Sequence, residues 1–107
     1  MEVIKELYKT IQKRKKEKSE NSYTCYLFEK GLDKILKKCG EECSETIIAA
    51  KNGDAGETVN EICDLIYHLL VLMAQQNIDI KSVEEELKAR NLKVGNLKVT
   101  KKTDIYT

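Results

Sequence analysis

The residues best suited to chemistry are acidic side chains that recur at helical spacing in two parts of the chain. Glu42 and Glu45 stand three positions apart, and Glu61 and Asp64 repeat this spacing. Residues three or four apart share one face of a helix, so each pair presents two carboxylates together. Buried carboxylates are costly unless they are paired or bound to a cation. The pattern predicts an all-oxygen site for a hard divalent cation, with Mg²⁺ favoured and Mn²⁺ chemically close.

A histidine and several lysines surround these pairs. Around the second pair the polar residues form one narrow stripe at roughly 100° per residue, in an otherwise apolar segment: Glu57, Glu61, Asp64 and His68. Four lysines are candidates to neutralise phosphates: Lys30, Lys34, Lys38 and Lys51. Each lysine also fits a solvated surface position, and His68 also fits a hydrogen-bonded core histidine. A Glu-x-x-Glu pair alone is likewise common on solvated helices, so the individual roles stay open at this point.

The elements that carry these residues are predicted to be helices throughout. The chain has no proline, and no segment alternates apolar and polar residues over the length of a strand. We expect a first helix over residues 2–16 and a connecting stretch at 23–26. A long second helix should follow to about residue 51 with a bend at Gly31, then a third helix over 55–76. A fourth, capped by Asp79 or Ser82, should run to about residue 90.

The second and third helices are joined by a short turn at Asn52-Gly53-Asp54, so they should pack antiparallel. Their acidic pairs should then face each other at the rim of the contact. The stripe expected to be buried on the second helix consists of Leu32, Ile35, Leu36, Cys39, Cys43, Ile47 and Ala50. The third helix is apolar around most of its circumference, so we predict that it is central and the most buried.

Length and charge narrow the class of protein. A chain of 107 residues is expected to form one domain, here residues 1–90, followed by a tail at 91–107. Its 19 basic and 18 acidic residues nearly cancel, which argues against a dedicated nucleic-acid-binding module. No apolar run is long enough to cross a bilayer, and the N-terminus lacks the charged-then-apolar pattern of a secretory signal. We therefore expect no membrane partner and a cytoplasmic location.

The cysteines favour free thiols over a metal site. There are four of them, at positions 25, 39, 43 and 63, and none forms a CxxC pair. A zinc site from Cys39, Cys43, Cys63 and His68 is conceivable, but zinc motifs usually use tighter pairs. In a cytoplasmic protein we expect these thiols to be reduced and not bound to metal.

Four segments carry a resemblance to a known family: residues 22–31, 34–45, 48–52 and 61–70. They resemble the phosphoribosyl-ATP pyrophosphatases of histidine biosynthesis, a branch of the all-α NTP pyrophosphohydrolase (MazG-like) superfamily. The acidic pairs are shared across the superfamily, whereas Ser22-Tyr23-Thr24 and Tyr67-His68 are typical of this branch. The likeness covers roughly residues 3 to 90. The sequence departs from the usual pattern at Cys43, Ser44 and Thr46, which are changes in packing and not in the acidic residues.

The resemblance implies a reaction, phosphoribosyl-ATP plus water giving phosphoribosyl-AMP and pyrophosphate. It implies a four-to-five-helix bundle completed by oligomerisation, as a homodimer or larger assembly. The implied magnesium ligands are Glu42, Glu45, Glu61 and Asp64. Among the candidate catalytic residues, either Glu41 or Glu45 would activate the attacking water, and Lys38 is the third. The implied substrate contacts are Ser22, Tyr23, Thr24, Lys30, Lys34, Lys38, Lys51, Asn52, Tyr67 and His68. Two alternatives remain: a house-cleaning (d)NTP pyrophosphohydrolase of the same superfamily, and a non-enzymatic helical assembly module whose acids are solvated.

Overall fold

Residues 2–93, which the computed structural model of this protein describes, form helices and the short turns between them. The helices are α1 (Glu2–Lys16), α2 (Tyr23–Lys30), α3 (Leu32–Lys51), α4 (Ala55–Gln75) and α5 (Ile80–Lys93). No strand occurs within these residues, so the all-α prediction is confirmed. None of the helices combines the length and the apolar character that spanning a bilayer would require.

The predicted long second helix is divided in two at Gly31. The Ser22 side chain caps α2 by accepting a hydrogen bond from the Cys25 backbone N–H at 3.2 Å, so the expected connecting stretch is helical. Gly31 has φ +91° and ψ −171°, a conformation that is readily available only to glycine. The helix therefore ends at Lys30 and a new one begins at Leu32. The position of the predicted bend was right, but the chain breaks there instead of bending.

A three-residue turn connects α3 to α4 and sets their antiparallel packing. The backbone N–H of Gly53, with φ +71°, donates to the Ala50 carbonyl at 3.0 Å and closes α3. Asp54 then caps α4, since its Oδ1 accepts from the Glu57 backbone N–H at 3.0 Å. These two helices make the most extensive helix–helix contact in the described part of the chain, as the sequence predicts.

The hydrophobic core lies where α1 and α2 cover one side of the α3–α4 pair. Its buried members come from all four helices: Tyr8, Ile11, Leu27, Ile35, Leu70, Val71 and Ala74. α4 contacts α1, α2 and α3, so its predicted central position is confirmed. Lys15 reinforces this arrangement by donating to the Ala74 carbonyl at 2.8 Å, which also accepts from the Asn77 backbone N–H at the end of α4.

The prediction of a buried apolar stripe on α3 was wrong for the single chain. Of that stripe Ile35 is buried and Cys39 half-buried, whereas Leu36 and Ile47 are 46% and 64% exposed. α4 also leaves apolar side chains in solvent, although we expected it to be the most buried helix. Within residues 2–93, α1 and α2 cover one side of the α3–α4 pair, and no described helix covers these stripes. We call them the exposed apolar face: Leu32, Leu36, Ile47, Val59, Ile62 and Leu69.

The last helix is capped by Asp79, whose Oδ1 accepts from the Lys81 backbone N–H at 3.0 Å. Ser82 instead donates its backbone N–H to the Asp79 carbonyl. α5 ends at Lys93, slightly beyond the predicted end, and buries no residue completely. Most of the predicted tail, residues 94–107, lies outside the described residues.

Candidate active site

The two acidic pairs meet at the contact between α3 and α4. Carboxylate oxygens of Glu42, Glu45 and Glu61 lie within 4.8 Å of one another. Glu42 and Glu61 are only 6% and 8% exposed, whereas Glu45 reaches solvent. Asp64 is half-buried and stands outside this group of three, but its charge is among the causes that raise the pKa of Glu42. The structure therefore brings three of the four predicted ligands together and places the fourth beside them.

Crowding of the carboxylates changes their titration. The neighbouring carboxyl group of Glu45, followed by burial and further acidic neighbours, raises the pKa of Glu61 to about 8. Burial, followed by the influence of Glu45, raises the pKa of Glu42. Like charges in one small volume cannot all ionise without compensation. In the absence of a cation, part of the cluster therefore keeps its protons at neutral pH.

Two oxygens of the cluster lack any partner. The Oε2 atoms of Glu42 and Glu61 are buried and receive no hydrogen bond. An unsatisfied buried polar atom is unfavourable, and native structures rarely keep one without a reason. A donor set made only of carboxylate oxygens suits hard cations such as Mg²⁺ or Mn²⁺. The residues that are present therefore fit the predicted metal.

Lys38 lies at the edge of the cluster. Its ammonium group donates to Glu41 Oε2 at 3.0 Å and lies 4.0 Å from Glu42 Oε1. The hydrogen bond from Lys38 lowers the pKa of the Glu41 carboxyl group, and the same bond raises the pKa of Lys38. Glu41 is therefore a weaker base than an isolated glutamate, and the ammonium group of Lys38 stays protonated beside the carboxylates.

Hydrogen bonds between neighbouring side chains attach α2 to α4. Nδ1 of His68 lies 2.7 Å from the Asp64 carbonyl oxygen, which can only accept, so Nδ1 carries the proton. Nε2 then accepts from the Tyr23 hydroxyl at 2.9 Å. The hydroxyl group of Thr24, which follows Tyr23, pairs with that of Tyr67, which precedes His68. These four residues thus have a structural role, and their predicted contacts with substrate stay predictions.

The other predicted substrate contacts lie in several places. Ser22 serves as the cap of α2. The Lys30 ammonium lies 5.8 Å from the centre of the Tyr26 ring. Lys34 is half-buried on α3, and Lys51 is exposed in its last turn. For these lysines the structure shows no contact with the cluster.

An open cavity of about 210 Å³ adjoins the cluster at the start of α4. Its lining comprises Glu45, Ile48, Ala49, Asn52, Glu57 and Glu61. The predicted contact Asn52 is therefore next to two of the predicted metal ligands. We assigned no role to Glu57 from the sequence, although it stands four residues before Glu61 on the same helical stripe. That spacing was the signal that would have found it.

The cysteines do not assemble into the alternative zinc site. All four are free; Cys43 and Cys63 are exposed and Cys39 is half-buried. His68 could not join them, because both of its ring nitrogens are hydrogen-bonded within the protein. Among residues 2–93, the cluster with the composition and spacing for a metal ion is the group of three glutamates.

Comparison with known proteins agrees with the resemblance seen in the sequence. Residues 4–91 match the profile of the phosphoribosyl-ATP pyrophosphohydrolase family. The chain is similar to the phosphoribosyl-ATP pyrophosphatase of Clostridium novyi (strain NT), with 52% identity over 92% of this chain and 89% of that protein. It is 55% identical to the phosphoribosyl-ATP pyrophosphatase of Clostridium botulinum (strain Kyoto / Type A2), over 94% of this chain and 92% of that protein. It is 53% identical to the phosphoribosyl-ATP pyrophosphatase of Listeria welshimeri, over 95% of this chain and 98% of that protein. All predicted site residues lie inside the matched range.

Proposed function

Because the chain belongs to the phosphoribosyl-ATP pyrophosphohydrolase family, we propose that it hydrolyses phosphoribosyl-ATP to phosphoribosyl-AMP and pyrophosphate, with Mg²⁺ bound at the carboxylate cluster. This is the second step of L-histidine biosynthesis. Membership of an enzyme family removes the alternative of a non-enzymatic assembly module. The observation that carries the proposal is the set of three glutamates with two buried, unpartnered oxygens.

We assign Glu42, Glu45, Glu61 and Asp64 as ligands of Mg²⁺, and Mn²⁺ should replace it. The unpartnered oxygens of Glu42 and Glu61 support this assignment, because a cation would satisfy both. When bound, Mg²⁺ neutralises phosphate charge and lowers the pKa of a coordinated water. Asp64 stands outside the group of three, so a shift of its side chain toward the cluster would accompany binding.

The protein's own groups supply the acid–base and charge chemistry. Water adds to the α-phosphorus, the bond to the α–β bridging oxygen breaks, and pyrophosphate leaves with that oxygen. A carboxylate near the water takes its proton. Glu45 suits this role better than Glu41, because the ion pair with Lys38 lowers the pKa of Glu41 and weakens it as a base. Lys38 then holds a phosphate oxygen at the edge of the cluster.

Two features support a role for α2 at the substrate. Tyr23 is 46% exposed although its hydroxyl is bound to His68, so its ring is available to a ligand. Burial raises the pKa of Tyr23, and the charge of the nearby Lys38 partly opposes this effect. We therefore propose that the ring lies beside the edge of the cluster at which Lys38 binds phosphate. The segment at 22–31 is also the part of the sequence that resembles the histidine branch alone.

The exposed apolar face supports assembly into a homodimer or larger oligomer. Leu36, Ile47 and Val59 are 46%, 64% and 61% exposed, and such stripes on a short chain are usually covered by a partner. We propose that a second copy of the chain covers this face. We also propose a cytoplasmic location, because free thiols are stable in the cytoplasm. An Ile47→Lys variant should shift the mass measured by sedimentation toward the monomer, whereas an Ile47→Leu control should not.

The deciding experiment measures pyrophosphate released from phosphoribosyl-ATP with Mg²⁺ and with a chelator. We expect release that depends on the metal and is lost in Glu42→Gln, while a Glu85→Gln control on α5 keeps the activity. Phosphoribosyl-ATP is then replaced by individual dNTPs. A protein that ignores phosphoribosyl-ATP but cleaves a dNTP would support the house-cleaning alternative. Full activity in Glu42→Gln would exclude the proposed metal site.

A further inference from the structure

One face of α2 carries two exposed tyrosines followed by a lysine. Tyr23, Tyr26 and Lys30 stand three and four positions apart, which places them on the same side of a helix. The rings of Tyr23 and Tyr26 are stacked, with their centroids 6.2 Å apart and their planes inclined by 28°. Both tyrosines are exposed. We call these two rings the aromatic surface, and it offers a flat apolar area to a ligand.

Tyr26 is not needed for the fold of the single chain. It belongs neither to the buried core nor to the side chains that pack against the core, and 41% of it is exposed. Tyr23 differs, because its hydroxyl binds His68 and so attaches α2 to α4. Exposed aromatic rings are the side chains on which nucleobases stack, whatever the identity of the base. The position of Tyr26 is therefore suited to a ligand that contains a base.

Positive charge stands at both ends of the aromatic surface. At one end the Lys30 ammonium lies 5.8 Å from the centre of the Tyr26 ring, and Lys30 forms no ion pair within residues 2–93. A cation–π contact at an exposed site is weak, so this ammonium can turn to an anionic ligand. At the other end burial raises the pKa of Tyr23, and the charge of Lys38 partly opposes that rise. Lys38 is thus the cation nearer to Tyr23, at the edge of the carboxylate cluster.

The proposed substrate has phosphate groups on two sides of its purine. One ribose of phosphoribosyl-ATP carries the triphosphate, and a second ribose, attached to the base itself, carries a monophosphate. ATP and the dNTPs contain a base and a triphosphate but lack the second ribose phosphate. An aromatic surface with a lysine at each end is therefore complementary to phosphoribosyl-ATP, whereas an ordinary nucleotide would leave one of the two lysines without a phosphate.

We infer that the purine of phosphoribosyl-ATP stacks on the aromatic surface against Tyr26, and that Lys30 binds the phosphate of the second ribose and so selects this substrate over ATP and dNTPs. The inference rests on the proposed function and names the residues that determine its specificity. At 1.5 Å per residue, positions 23 and 30 are about 10 Å apart along α2. The two phosphate-binding ends are thus separated by more than the width of one ring, as a base between two ribose phosphates requires.

The test compares two ligands that differ in the phosphoribosyl group. Release of pyrophosphate from phosphoribosyl-ATP is measured with Mg²⁺, and ATP is added as a competitive inhibitor. In Lys30→Gln the KM for phosphoribosyl-ATP should rise about tenfold, the loss expected for a hydrogen bond to a charged group. Its kcat should stay within about twofold, because this contact serves binding and not the chemical step. The inhibition constant of ATP should not change.

Tyr26 should affect both ligands, because both contain the base. Tyr26→Ala should raise the KM for phosphoribosyl-ATP and the inhibition constant of ATP by about fivefold or more, the usual effect of removing a stacked ring. Tyr26→Phe keeps the ring and should behave as the parent. Lys88→Gln, an exposed position on α5, is the control for loss of a surface charge. Tyr26 and Lys30 are exposed, so the variants should fold, and circular dichroism verifies this.

The outcomes separate this inference from the proposed function. A parental KM in Lys30→Gln, or an equal weakening of ATP in that variant, would overturn the assignment of Lys30 to the second ribose phosphate. A parental KM in Tyr26→Ala, or no inhibition of the parent by ATP, would overturn the placement of the base. In each of these cases hydrolysis of phosphoribosyl-ATP by the parent leaves the proposed function intact. A parent that does not hydrolyse phosphoribosyl-ATP would overturn both.

Discussion

Binding of Mg²⁺ to the carboxylate cluster should displace about one proton per chain at neutral pH. Contact with Glu45 and burial raise the pKa of Glu61 to about 8, so this group is mostly protonated at pH 7 in the metal-free protein. A carboxylate must be ionised to serve as a ligand. The affinity for Mg²⁺ should therefore fall as the pH is lowered below about 8, and it should level off above that value.

The pKa determines the size of the effect. A single protonated ligand with a pKa of about 8 weakens the apparent affinity about tenfold at pH 7 and about 100-fold at pH 6, relative to the ionised site. The number of protons released per ion is about 0.9 at pH 7 and about 0.1 at pH 9 by the same relation. Burial and the neighbouring Glu45 also raise the pKa of Glu42, which makes the dependence of the Mg²⁺ affinity on pH steeper.

The assay is isothermal titration calorimetry in buffers that differ in their ionisation enthalpy, because the difference between them counts the protons released. The parent and Glu85→Gln should show the expected dependence of Mg²⁺ affinity and of proton release on pH. Glu61→Gln should bind Mg²⁺ weakly and release far fewer protons. An affinity that stays constant between pH 6 and pH 8, with no proton released at pH 7, would refute the argument that crowding keeps the cluster protonated.

The stability of the metal-free protein should also depend on the ionisation of Glu61. This stability should fall as the pH rises, whereas the affinity for Mg²⁺ should increase. The pKa of Glu61 is raised from 4.5 to about 8 on folding, so the folded state binds more protons than the unfolded state between these values. Stability is then fully present below pH 4.5 and is lost as the pH rises through about 8. The Tm in chelator should fall across this window, and Glu61→Gln should flatten the decline.

Three further results are expected. Glu45→Gln or Asp64→Asn should abolish release of pyrophosphate while the metal-free Tm stays equal or rises, because repulsion among the carboxylates is relieved; parental activity in both would contradict the carboxylate mechanism. Tyr67→Phe removes the partner of the buried Thr24 hydroxyl and should cost about 1–3 kcal/mol in a denaturant titration, and an unchanged midpoint would show that this pair contributes nothing. The four thiols should all react with a thiol reagent in the unfolded protein, and the purified protein should contain no stoichiometric zinc.

Much of the fold was accessible from the sequence because the relevant properties are local. The spacing of Glu42 and Glu45 places both on one helical face wherever the helix lies. The turn at residues 52–54 makes α3 and α4 antiparallel neighbours, so the second acidic pair has to approach the first. Gly31 was recognised as a weak point of the helix, but its backbone angles, which end α2, could not be derived from composition.

The sequence by itself thus determined the helical character of the chain and the approach of the two acidic pairs, whereas the tertiary structure decided burial, partners and ionisation. Periodicity shows that the stripe with Ile35 and Leu36 is apolar, but it does not show that α1 and α2 cover only part of it. Nor does periodicity show that His68 accepts a hydrogen bond from the Tyr23 hydroxyl, because those residues are 45 positions apart in the sequence. The pKa of Glu61 likewise depends on distances through space to other carboxylates, and packing alone sets those distances.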